Sequence, residues 1–154
     1  MNPTDYFDTS ALVKRYLTET GSAWVRQRCA ERQRTIAIIS LGQLEVTAAA
    51  AGRLRGKSIT QPEFDHMHTI WLTDFQYDYN VTQLVPAHIT TGIELVMRHR
   101  LRGYDAVHLA CALLLNAALL AQQLPALTFV SADQDLLNAA QIEGLMTDNP
   151  NLYS

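Results

Sequence analysis

Four acids stand at separate points of this chain, each in apolar company. They are Asp8 in Tyr6-Phe7-Asp8-Thr9-Ser10, Glu45 in Leu44-Glu45-Val46, Asp105 in Tyr104-Asp105-Ala106-Val107, and Asp133 closing Phe129-Val130-Ser131-Ala132-Asp133. Acids in such surroundings carry a desolvation cost that something must offset. Four carboxylates together suit a hard cation such as Mg²⁺. A cation held that way can activate a water and clamp the oxygens of a phosphate.

Singly, three of these acids have plainer readings. Asp8 can cap a helix, Asp105 can complement a helix dipole, and Asp133 with Asp135 can form a turn into a helix. Glu45 follows Leu44 by one residue and Leu41 by four, so it lies at the margin of an apolar stripe, where an acid needs a partner. The hydroxyls of Thr9, Ser10 and Ser131 neighbour the acids and can hold a carboxylate or a water in place. For Thr9 and Ser10, helix capping is the alternative. His108, three residues after Asp105, shares roughly its helix face and reads as support for the acids or as core packing.

The elements that must position these residues follow from periodicity. Strands are expected at Thr4–Phe7, Thr35–Ile39, Val81–Val85, Leu127–Val130 and Leu145–Thr147, from their β-branched and apolar runs. Between them fall helical patterns: Leu12 to near Gly21, Ser22–Arg32, and a helix after Ser40 with Leu41, Leu44 and Ala48 on its apolar face. Ser40 and Gln43 have the spacing of a capping box. Further helices are expected after Thr60-Gln61-Pro62-Glu63, over Ile89–Leu101, Tyr104–Gln123 and Asp135–Ile142. Alternating strands and helices imply an α/β fold with a mainly parallel sheet. Asp8 and Asp133 each leave a strand at its carboxyl end, where parallel sheets bind ligands.

The 154 residues, 48% hydrophobic and 18% charged, suit one globular domain over 1–154 with a real core. The net charge of −3 gives no overall nucleic-acid signal, so any such contact must be local. Cys29 and Cys111 read as reduced thiols of a cytoplasmic protein. No signal peptide is visible, and Ala106–Ala121 is expected to be too short to span a bilayer, so no membrane partner is expected.

The four motif blocks, in order, resemble the PIN domain, and in particular the VapC-type toxins of toxin–antitoxin pairs. The blocks are Tyr6 to Lys14, Ser40 to Val46, Gly103 to Ala110 and Phe129 to Asp133, with Ser131 where many members carry Thr. The resemblance implies a three-layer PIN-like α/β fold, its central sheet flanked by helices and its acids converging at one end. It implies an endoribonuclease dependent on Mg²⁺ or Mn²⁺, with Asp8, Glu45, Asp105 and Asp133 on the metal-binding positions and Asp135 a possible fifth acid. It further implies an RNA substrate, a cognate antitoxin and a homodimer. For RNA contact, Lys14, Arg98 and Arg102 are the candidate cations. The alternatives are a catalytically silent PIN-like module that binds RNA or protein, and a small-molecule phosphatase using Asp8 as nucleophile. The phosphatase wants a second Asp where this chain has Ser10. A metal-independent ribonuclease using His66 and His68 is a further possibility.

Overall fold

Strand residues alternate between two buried faces, and this alternation builds the molecule. The computed structural model describes residues 2–153. Its strands are β1 (Thr4–Phe7), β2 (Thr35–Ile39), β3 (Asn80–Thr82), β4 (Thr128–Val130) and β5 (Met146–Asp148). They form one parallel sheet in the order β3-β2-β1-β4-β5. The helices are α1 (Thr9–Leu12), α2 (Ser22–Ala30), α3 (Leu41–Arg55), α4 (Gln61–Tyr77), α5 (Pro86–Arg98), α6 (Gly103–Ala121) and α7 (Gln134–Ile142).

Tyr6, Ala37, Ile39 and Phe129 point to one face, where they pack with Leu95 of α5, Leu109 of α6 and Leu136 of α7. Phe7, Ile36, Ile38 and Val130 point to the other, against α1, α2, α3 and α4, where Trp71 is fully buried. Both sheet faces are covered, so the strands read as continuous apolar runs. Each large side chain buried this way contributes on the order of 1.5–3 kcal/mol. The three-layer α/β architecture is the one expected.

Chain direction places the site. From β1 the sheet grows to β2 and β3 on one side and, later, to β4 and β5 on the other. The order therefore reverses between β1 and β4, the place where parallel sheets carry ligand sites beyond their strands' carboxyl ends. Asp8 leaves β1 and Asp133 follows β4 at that point.

Several local expectations change. α3 presents Gly42, Val46 and Ala50 to the core, while Leu44 is 65% exposed and Ala48 is also exposed. Val46 and Ala50 make its core contacts, and Leu44 is left outside. Ser40 is helical and does not cap; its hydroxyl instead accepts from the Leu84 amide at 3.2 Å, tying α3 to the loop after β3. Pro86 begins α5 rather than closing a strand, since its fixed φ and missing N–H suit a first helical residue. β3 is shorter for that reason. The first helix is only one turn, continued by a 3₁₀ turn over Val13–Arg15.

α6 is long and apolar enough, by length and composition, to cross a membrane, contrary to the shorter estimate from Ala106–Ala121. Its place in the fold accounts for that character. Ala106, Leu109, Ala110 and Ala112 are buried in the core, and Leu113, Leu115 and Leu119 pack at its edge.

Candidate active site

The site at the carboxyl ends of β1 and β4 is organised around Asp8, which is 3% exposed. Asp8 caps α1. Its Oδ1 accepts from the Ala11 amide at 3.0 Å and the Ser10 hydroxyl at 2.7 Å, and its Oδ2 accepts from the Ser131 hydroxyl at 2.7 Å. All three donors are neutral, and Asp8 makes no ion pair among the described residues. Burial pushes its carboxyl above the usual range, and the His108 charge and these hydrogen bonds only partly offset that.

Hydroxyls tie the two strand ends together. Ser10 Oγ accepts from the Ala132 amide at 2.9 Å and lies 3.3 Å from Ser131 Oγ, which accepts from the Asp133 amide at 3.0 Å. Thus Ser10 and Ser131 hold Asp8 and fix the turn into Asp133 at once. Ser10 is spent on Asp8 itself, leaving no acid at the position that phosphatase chemistry requires.

Asp133 caps α7: its Oδ1 accepts from the amides of Asp135 at 3.0 Å and Leu136 at 3.2 Å. Its Oδ2 lies 3.9 Å from Arg102 Nη2. Arg102 Nε also donates to Asp105 Oδ2 at 3.2 Å, so one guanidinium, 82% exposed, spans two acids. Asp105 sits in the first turn of α6. Asp135 is exposed and shares a cleft of about 320 Å³ with Arg100, Arg102, Asp105 and Asp133.

Glu45 enters from α3. Its Oε1 accepts from the Thr9 hydroxyl at 2.9 Å and from His108 Nε2 at 2.7 Å. Burial pushes its carboxyl up, but the hydrogen bond and charge of His108, with the Thr9 bond, outweigh this and hold it below the ordinary range. His108 is buried, and its Nδ1 meets the Tyr6 hydroxyl at 2.9 Å. Tyr6 had no functional place in the sequence reading beyond its motif. Nothing local signals the pairing, which joins residues 102 positions apart.

Two groups of contacts therefore meet at the sheet's carboxyl end: Asp8, Asp133 and Asp105 are linked through Ser10, Ser131 and Arg102, and Glu45 is held separately by Thr9 and His108. Among the described residues, no group of three His, Cys, Asp or Glu side chains stands ready to ligate a single ion. Each acid is instead held by its own donors. The oxygens left with spare lone pairs are Glu45 Oε2, Asp105 Oδ1 and Asp133 Oδ2, beside the buried Asp8. This oxygen-only set fits Mg²⁺ or Mn²⁺, since Mg²⁺ keeps several waters and takes only one or two carboxylates directly.

The basic candidates separate. Lys14 is buried and its ammonium is 3.1 Å from Glu19, which also pairs with Arg53, so it is not the free surface cation expected. Arg98 is engaged by Glu143 at 2.7 Å. Arg102 alone of the three touches the acids of the site. His66 is exposed on α4 and His68 lies against Phe64, and neither hydrogen-bonds to an acid of the site.

No protein-family model matches the sequence. Two Mycobacterium tuberculosis proteins do match: Ribonuclease VapC45 of strain CDC 1551 / Oshkosh and Ribonuclease VapC49 of strain ATCC 25618 / H37Rv. Each is 37% identical over 121 residues, covering 72% of this chain and 76% of theirs. The chain belongs to the VapC ribonuclease family. Solved structures share the fold. PAE2754 from Pyrobaculum aerophilum superposes with a TM-score of 0.63 at 17% identity, over 95% of this chain and 83% of that one. VapBC2 from Rickettsia felis, bound to a DNA fragment from their promoter, gives 0.62 at 14% identity over 95% and 98%. A toxin–antitoxin complex from Klebsiella pneumoniae gives 0.59 at 17% identity over 95% and 97%. At these identities the structural likeness is one of fold, and the mycobacterial sequences carry the family assignment.

Proposed function

We propose that this VapC-family chain is a divalent-metal-dependent endoribonuclease, the toxin of a toxin–antitoxin pair. The observation that carries the reading is Asp8: a carboxylate buried at the carboxyl ends of β1 and β4, held by neutral donors alone and linked through Ser131 to the turn that carries Asp133. Asp8 and Asp133 would hold Mg²⁺ or Mn²⁺ directly, and Glu45 and Asp105 would complete the set or orient water. When bound, the ion supplies a nucleophilic water at neutral pH and relieves charge on the phosphate oxygens. The chain's own share is positional. Ser10 and Ser131 keep Asp8 fixed, the α7 amides keep Asp133 turned, and Thr9 and His108 keep Glu45 at the rim. Arg102, exposed and already at the mouth, is the residue suited to meet an RNA phosphate.

Partners follow the surface. α5 and the start of α6 expose Ile89, Ile93, Val96 and Tyr104, which with Leu41 and Leu84 line a groove of about 440 Å³. A patch of this kind needs a second chain, and we read it as the homodimer face. The antitoxin reading draws on the toxin–antitoxin complexes among the fold neighbours. A cytoplasmic location is the reading in keeping with the free thiols of Cys29 and Cys111.

The test is cleavage mapping on total RNA with wild type and Asp8→Asn side by side. Wild type should cut with Mg²⁺ or Mn²⁺, stop with EDTA, and leave 5′-phosphate ends. Cyclic phosphate ends, or cleavage that survives EDTA, would overturn the proposal. Coexpression of the protein encoded by an adjacent small gene should suppress the cleavage.

A further inference from the structure

Glu45 reaches the site from α3 beside the core residue Val46, and the side chains that orient it come from other elements. Both hydrogen bonds it accepts fall on Oε1, from Thr9 and from His108 Nε2. Oε2 accepts none among the described residues. Behind His108 stands Tyr6, whose hydroxyl meets Nδ1 at 2.9 Å and also contacts the Cys111 thiol. The Tyr6 ring is stacked on Phe129, with centroids 5.6 Å apart, and lies edge-on to the imidazole at 6.0 Å. Tyr6 and His108 are both buried. The line therefore runs from the central strand, through the core helix α6, to the tip of α3.

At Glu45 its hydrogen bonding has one sense. A neutral imidazole that accepts the Tyr6 hydroxyl at Nδ1 carries its hydrogen on Nε2 and donates to Glu45. An imidazolium donates from Nε2 as well. In either state Oε1 is saturated, and Oε2 keeps the free lone pairs.

Resting on the reading of Glu45 as an acid of the metal site, we infer that Tyr6 and His108 are positioning residues of the nuclease. They anchor Glu45 by one oxygen so that the other is the one offered to the cation. A polar pair that serves only to satisfy the core would have the same geometry without this consequence, and measurement separates the two.

The experiment titrates Mn²⁺ by calorimetry into the whole chain, freed of metal by chelation. It compares wild type, Tyr6→Phe, His108→Ala and His108→Gln, with cleavage kinetics and urea melts on the same samples. Loss of such an outer partner typically lowers metal affinity or activity about 10–100-fold. Tyr6→Phe should weaken Mn²⁺ binding by about 10-fold and His108→Ala by more. His108→Gln, which returns an amide donor near the place of Nε2, should restore part of the affinity. If His108→Ala does not fold, Tyr6→Phe, which removes one hydroxyl, carries the test. Reduced stability with unchanged Mn²⁺ affinity would overturn the inference and leave the metal-nuclease reading standing. A wild type that neither binds Mn²⁺ nor cleaves RNA would overturn both.

Discussion

Asp5 and Asp8 lie three residues apart, one within β1 and one at its exit, and both are buried. Their charges are handled in opposite ways. Asp5, 0% exposed, is clamped by Arg28, with Nε at 2.6 Å from Oδ2, and by Arg34, with Nη1 at 3.1 Å from Oδ1. Two guanidiniums close it off from any ligand. Asp8 receives three hydrogen bonds from uncharged groups and is paired with no guanidinium or ammonium. Burial beside a cation marks a structural acid; burial without one marks an acid with something still to bind.

The sharpest break of this comparison is Asp8→Asn, which should reduce RNA cleavage to background. Its effect on the metal-free fold should be neutral or stabilising. Burial raises the folded-state pKa of Asp8 above the ordinary value of about 3.9. Its stabilising contribution is therefore full below that value and is lost as pH rises through the raised pKa. Asp8→Asn escapes that loss, so urea melts in EDTA should show its relative stability growing from acid to neutral pH. Marked destabilisation of the variant at neutral pH would break the contrast.

Asp5→Ala should do the reverse. Removing it strands two partly buried guanidiniums and should lower stability by on the order of 3 kcal/mol. The fraction that remains folded should cleave normally, as measured against active-site titration with Mn²⁺. Lost activity at unchanged stability would make Asp5 part of the site.

Ser131→Ala probes the link between the two strand ends. It takes a donor from Asp8 Oδ2 and an acceptor from the Asp133 amide. A buried group left unpaired costs about 1–3 kcal/mol, and Mn²⁺ affinity should fall about 10-fold. Thermal melts with and without Mn²⁺ read both effects.

Arg102→Ala should be the mildest. The side chain is exposed, so stability should hardly change. The salt dependence of RNA binding should flatten by about one phosphate contact. An unchanged slope removes Arg102 from the RNA surface.

Much of this was legible in the sequence because the relevant signals are local. Strands β1, β2 and β4 follow from β-branched or apolar runs, and Asp8 and Asp133 fall where such runs end. The misreadings arose where small or polar residues face the core. α3 buries Val46 and Ala50 rather than Leu44, so its core-facing stripe is offset from the one its largest apolar residues suggest. Arg28 and Arg34 look like surface charge in sequence, since nothing local joins them to Asp5. Lys14 looks free for the same reason.

The sequence by itself determined the alternation of strand and helix, the four acids and their order, because periodicity and capping act over a few residues. Only the tertiary structure decided how each acid is held. That depends on partners 23 to 123 residues away: Arg28 and Arg34 for Asp5, Ser131 for Asp8, His108 for Glu45. Desolvation and its relief are set by what surrounds a carboxylate in space, and the β1/β4 switch point exists only once the sheet order reverses there.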